Sequence, residues 1–125
     1  MAASVVITRG ADQSPGGRVY EYINFAWTAH TDGAVTSAAT GNLSPPISGY
    51  IDRMVLKPGS GVSGGNLSLL ENGLPETLAT KTGFATSGNG VAVDCLKTVA
   101  GQRLYITVSG AGESKTGTCR VYIQR

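Results

Sequence analysis

The chain has 125 residues, of which 41% are hydrophobic and 14% charged, with 18 glycines and a formal net charge of +2. That size suits one domain able to bury about two-thirds of its unfolded surface, so stability requires neither a metal nor a disulfide. Few charges and many glycines describe short strands joined by tight turns, and exclude a helical protein, which needs Ala, Leu, Glu, Lys and Arg at helical spacing.

Val5 to Thr8 reads as a short strand. Arg9 to Arg18 (Arg-Gly-Ala-Asp-Gln-Ser-Pro-Gly-Gly-Arg) has turn composition and is expected to be a loop or mobile arm. Residues 1–18 are thus an N-terminal strand and arm, and 19–125 the body of a single domain. In Val19 to Ala29, Ile23, Phe25 and Trp27 share one face and read as core, with Tyr22, Asn24, Ala26 and Thr28 opposite. His30 to Gly33 turns the chain into a weak strand, Ala34 to Thr40, and the paired prolines Pro45 and Pro46 end a second loop.

Gly49 to Lys57 reads as an interior strand with a bulge, because Asp52 and Arg53 interrupt its phase. Pro58 to Gly65 is a glycine loop, Asn66 to Glu71 a strand, and Asn72-Gly73 a turn. Leu74 to Thr80 continues as an edge piece, and Lys81 to Gly90 is loop-like. Val91 to Leu96 is a strand. Leu104 to Ser109 and Gly117 to Gln124 alternate strictly, with Leu104, Ile106, Val108 and Cys119, Val121, Ile123 inward. The glycines between them make a hairpin the natural connection. These are seven to nine short strands at spacings of about 8 to 12 residues and no substantial helix. The pattern predicts an all-β, antiparallel two-sheet sandwich, jelly-roll-like. Cys95 and Cys119 fall at inward positions and read as small core residues.

Several motifs suggest chemistry and lack the context it needs. Gly59-Ser-Gly-Val-Ser-Gly64 matches a dinucleotide fingerprint, yet Asn66 onward is too short and interrupted for the helix that would hold a pyrophosphate. Gly61-Val-Ser-Gly-Gly65 matches a nucleophile elbow, but His30, the single histidine, precedes the serine where the hydrolase order places it last. Lys-Thr-Gly occurs at Lys81 and Lys115 without the accompanying Ser-x-x-Lys. One histidine and two inward cysteines do not make a zinc set. The expectation is a non-enzymatic protein with no catalytic residues, cofactor or metal. Ten Lys and Arg are scattered from Arg9 to Arg125, so no direct nucleic-acid partner is expected. Nothing approaches about 18 consecutive apolar residues, and the N-terminus lacks a charged region before an apolar core. No membrane partner or secretory signal is expected.

A resemblance adds to this reading. The phrases are Phe25-Ala-Trp-Thr, Thr31-Asp-Gly-Ala-Val-Thr, Ile47-Ser-Gly-Tyr-Ile-Asp-Arg-Met-Val-Leu-Lys-Pro-Gly-Ser-Gly, Asn66-Leu-Ser-Leu-Leu-Glu-Asn-Gly and Val108-Ser-Gly-Ala-Gly-Glu-Ser-Lys-Thr-Gly-Thr. Together, over Tyr22 to Gln124, they resemble small virion structural proteins of tailed bacteriophages, in particular capsid cement or decoration proteins. The resemblance implies a β-rich protein that self-associates as a homodimer or homotrimer. It would be made in the host cytoplasm and lie on the capsid exterior, binding across subunits of the major capsid protein. Contacts are then expected from the N-terminal arm (Arg9, Gln13, Pro15, Arg18) and two loops (Pro45, Pro46, Ser60, Val62) over a core of Ile23, Phe25, Trp27, Ile106, Val108, Val121 and Ile123. The alternative is a tail or fibre module binding a receptor or carbohydrate, for which Tyr20, Tyr22, Tyr50 and Tyr122 are candidate platforms.

Overall fold

The computed structural model describes residues 4–13, 19–29, 34–36, 43–59, 62, 64–73, 76–83, 91–112 and 115–124. These form nine strands: β1 Ser4–Gln13, β2 Val19–Thr28, β3 Val35–Thr36, β4 Ile47–Pro58, β5 Asn66–Glu71, β6 Glu76–Thr82, β7 Val91–Gln102, β8 Leu104–Ser109 and β9 Thr116–Gln124. A five-stranded sheet runs β1-β2-β9-β4-β7 and a four-stranded sheet β3-β8-β5-β6. Every pairing is antiparallel. The expected two-sheet, jelly-roll-like sandwich is what the chain builds.

Its logic is a folded ribbon. β5 pairs β6 across the Asn72-Gly73 turn, and outside that pair lie β4 with β7, β3 with β8, and β2 with β9, each nested around the last. Rolling the ribbon brings β9 beside β4 and β8 beside β5, which closes both sheets. β1 is added outside this eight-stranded jelly roll, on the free side of β2.

The nesting overturns the hairpin expected between Leu104 and Gln124. β8 and β9 lie in opposite sheets, and the segment between them is a corner. Ala111 is buried there, Gly110 and Gly112 take positive φ, and the Ala29 amide donates to the Lys115 carbonyl at 2.8 Å. Alternation in each arm reports a half-buried strand without saying that the two arms share a sheet. For the same reason Ile23, Phe25 and Trp27 do not cover β9 from above. They are its neighbours in one sheet, with Ile23 opposite Val121 and Phe25 opposite Cys119. Their cover is Leu67 and Leu69 of β5 and Leu104, Ile106 and Val108 of β8, all buried. All seven expected core residues are in the core.

The expected bulge in β4 is present. Ile51 and Met54 are both buried although three apart, because Asp52 is an extra residue relative to β9. On the other side the same place is irregular in β7, where Leu96 has φ 55° and Cys95 and Leu96 together stand opposite Asp52. The loop expected from Arg9 does not begin there. β1 continues to Gln13 and pairs β2 through Gln13 opposite Val19, so the turn-like residues Arg9 to Gln13 are extended by pairing with a strand that carries Ile23, Tyr22, Tyr20 and Val19. β7 likewise extends past Leu96 to Gln102, β6 includes Lys81 and Thr82, and β3 is Val35–Thr36, residues 37–40 of the expected strand lying outside the described residues.

Val121 is fully buried between Ile23 and Met54. Val121→Asp is expected to lower stability by about 3 kcal/mol or more, since it places a carboxylate without a partner in the core; an unchanged denaturation midpoint would show that this side of β9 does not face the core. Gly117→Ala is expected to cost about 1–3 kcal/mol in the same measurement, because a methyl there would overlap the Trp27 ring.

Candidate interaction surface

The strands that carry the core inward carry a cationic, tyrosine-bearing face outward. β9 alternates Cys119, Val121 and Ile123 inside with Thr118, Arg120, Tyr122 and Gln124 outside. β2 contributes Tyr22 and Asn24, each beside its β9 partner, Tyr122 and Arg120. From the other flank β4 contributes Arg53 opposite Tyr122, Val55 opposite Arg120 and Lys57 opposite Thr118. The bulge at Asp52 puts Arg53, Val55 and Lys57 in this outward phase.

The Arg120 guanidinium lies 4.1 Å from the centre of the Tyr22 ring, and that of Arg53 lies 5.6 Å from the centre of Tyr122. The two rings are 6.3 Å apart and tilted by 58°. Stacking on an aromatic face restrains a guanidinium while leaving its N–H fork available. Among the described residues none of Arg53, Lys57 and Arg120 makes an ion pair; the one salt bridge is Arg9 Nη2 to Glu21 Oε1, 2.7 Å, elsewhere on β1 and β2. Two hollows lie on this face. One of about 270 Å³ is lined by Asn24, Val55, Lys57, Thr118, Arg120 and Tyr122. The other, about 330 Å³, is lined by Ala26, Pro58, Gly59 and Gly117 among others, and Lys57 and Thr118 border both.

The expected contact residues are placed less uniformly. Arg9 is exposed on β1 and held by Glu21. Gln13 is the last residue of β1, while Pro15, Arg18 and Ser60 lie outside the described residues. Pro46 is exposed and Pro45 half-buried, beside a pinned Ser44: its amide donates to the Leu104 carbonyl at 2.9 Å and its Oγ accepts from the Leu104 amide at 2.8 Å. Val62 is 3% exposed and belongs to the core, so its side chain offers no surface for contact. Tyr22, Tyr50 and Tyr122 are half-buried, and the tilt and guanidinium stacking of Tyr22 and Tyr122 do not form a flat open platform. His30, Asp32 and Ser63 lie outside the described residues.

Sheet edges form a second feature. No described strand pairs with the outer side of β1, β7, β3 or β6. Two of these edges are blunted: β6 pairs β5 through a register shift, and β7 carries two irregularities with Leu96 and Gly101 at positive φ. β1 has none of these devices. It pairs β2 over ten residues without a shift and exposes Val6 by 60%.

No protein-family model matches the chain, and no curated protein sequence matches it. Solved structures with some likeness in shape include two of viral and bacterial origin. One is of Bacillus endospore appendages, described as a novel family of disulfide-linked pili, with 17% identity, a TM-score of 0.48 and coverage of 99% of this chain and 91% of that one. The other is of infectious bursal disease virus Gt strain, with 11% identity and a TM-score of 0.25. It covers 98% of this chain but only 32% of that one.

Both cysteines are free and buried. Burial, and then the nearby Asp94 and Asp52, pushes the Cys95 thiol up to about 11 from 9.0, and burial holds Cys119 higher still. The folded state keeps a proton on Cys95 that the unfolded chain gives up first. The resulting stabilisation is complete below pH 9 and lost as pH rises from about 9 to about 11. Melting temperatures should therefore fall over that window, and fall less steeply in Cys95→Ala.

Proposed function

We propose that this chain is a non-enzymatic virion structural protein that cements a bacteriophage capsid, bound to the shell exterior across subunits of the major capsid protein. The observation that carries the reading is the β1 edge: ten residues in unbroken register on one side, unpaired by any described strand on the other, with Val6 exposed near its start. Such an edge accepts a further strand through main-chain hydrogen bonds, with side-chain pockets setting the choice of strand. A second copy of this chain or an extended segment of a shell subunit fits that description, and either makes the protein part of an assembly. Repeated over a symmetric shell, contacts of moderate strength add through multivalency. The phrases from Phe25 to Thr118 that resemble cement and decoration proteins support the same reading.

The test uses empty shells of the parent particle that lack this protein. The purified chain should co-sediment with them in a fixed ratio. Val6→Lys combined with Thr8→Lys should weaken that binding at least about tenfold, since charge on an edge strand opposes pairing. Both residues are exposed, so the melting temperature should hold. Failure to co-sediment, together with binding on a glycan array, would instead favour a receptor-binding tail or fibre module.

A further inference from the structure

We infer that the outer face of the β2-β9-β4 sheet is a docking groove for an extended protein segment carrying a carboxylate next to an apolar side chain. The two hollows adjoin at Lys57 and Thr118, which line both, so a segment laid along the face would cross one and then the other. At one end Lys57 and Arg120 stand with Asn24 and Thr118, two cations beside neutral hydrogen-bonding groups. At the other, Ala26, Pro58, Gly59 and Gly117 leave a shallow apolar floor. Arg120 is restrained by the Tyr22 ring, so less side-chain freedom is lost when its fork closes on a carboxylate.

Charge complementarity selects the occupant. Lys57 and Arg120 make no ion pair among the described residues, so the groove offers positive charge that no carboxylate of the fold neutralises, whereas Arg53, outside its lining, stands opposite Asp94 on β7. A nucleic-acid strand fits poorly. The tyrosine faces on which its bases would stack carry guanidinium groups. A neutral sugar lacks both the charge for the cationic end and an open coplanar ring to lie on. A carboxylate on a protein segment matches the cationic end, and a neighbouring apolar side chain matches the small-residue end. The groove lies on β2, β9 and β4, and its β2 residues Asn24 and Ala26 stand opposite Thr8 and Val6 of β1, so groove and edge are neighbours on one face. This deepens the structural reading by giving the partner's chemistry, and the groove is tested without shells, so either can fail alone.

The experiment is fluorescence anisotropy with the full chain and a labelled Ser-Glu-Ser-Leu-Ser-Glu-Ser peptide. Matched probes are the same peptide with Gln for Glu, a short single-stranded DNA and a heparin fragment. The glutamate peptide should bind in low salt, and the glutamine peptide at least about tenfold more weakly, the factor that loss of charge-assisted hydrogen bonds produces. Lys57→Gln with Arg120→Gln should lose a similar factor, while Lys81→Gln with Lys97→Gln, cations outside the groove, should stay within about twofold. Four results overturn the inference: no binding of the glutamate peptide, equal binding of the glutamine peptide, equal losses in the two double variants, or DNA or heparin bound through Lys57 and Arg120 in preference to the peptide.

Discussion

β9 is hydrogen-bonded on both sides, to β2 near the start of the chain and to β4 in its middle, and the rest of the molecule depends on that double pairing. Its inner residues Gly117, Cys119, Val121 and Ile123 are all buried, and each gains one neighbour from β2 and one from β4. β1 joins the sheet only through β2, and β7 only through β4. The central strand of this sheet is therefore the last to appear in the sequence. None of its pairings is local, so loop-closure entropy must be overcome before the core rewards it, a topology that folds slowly.

The same pairing assembles the outer face. Arg120 and Tyr122 are two positions apart on β9, but each acquires its stacking partner from a different strand: Tyr22 from β2 and Arg53 from β4. Alternation makes the two faces inseparable. A register that places Val121 between Ile23 and Met54 also places Arg120 between Asn24 and Val55. The Asp52 bulge matters on both counts, since it keeps Ile51 and Met54 inside while sending Arg53, Val55 and Lys57 out. Core and groove are thus two consequences of one set of pairings.

The edges carry a different kind of information. β7 is twelve residues long and would be a hazard if straight, but its irregularities at Leu96 and Gly101 break the run of available backbone groups. β1 keeps an unbroken register with β2, so the five-stranded sheet has one regular edge and one interrupted edge. The Arg9–Glu21 bridge ties β1 to β2; being partly exposed, it is worth no more than about 1 kcal/mol, so the strand is held chiefly by its backbone pairs and by Val5 and Ile7 on the core.

Much of the architecture is legible from period-two patterning: the core stripes of β2, β8 and β9, the β5 strand and its Asn72-Gly73 turn, and the β4 bulge where Asp52 breaks phase. Pattern reports which way a side chain points relative to a strand, and that is a local property. It fails at β1, because Arg9 to Gln13 have turn composition and are extended only through pairing with β2. It fails at Val62, buried from within a glycine-rich loop. It fails again at β8 and β9, where two well-formed strands look like a hairpin and belong to opposite sheets. The groove is the least legible part. Tyr22, Arg53, Lys57 and Arg120 are unremarkable polar positions on three separate strands until registers between distant segments bring them together. By itself the sequence determined the strands, their inward faces and the sandwich class, because these follow from side-chain alternation and turn chemistry. Only the tertiary structure decided which strands are neighbours, and with that which edge stays open and which cations share a face, because pairing is settled by packing between segments far apart in the chain.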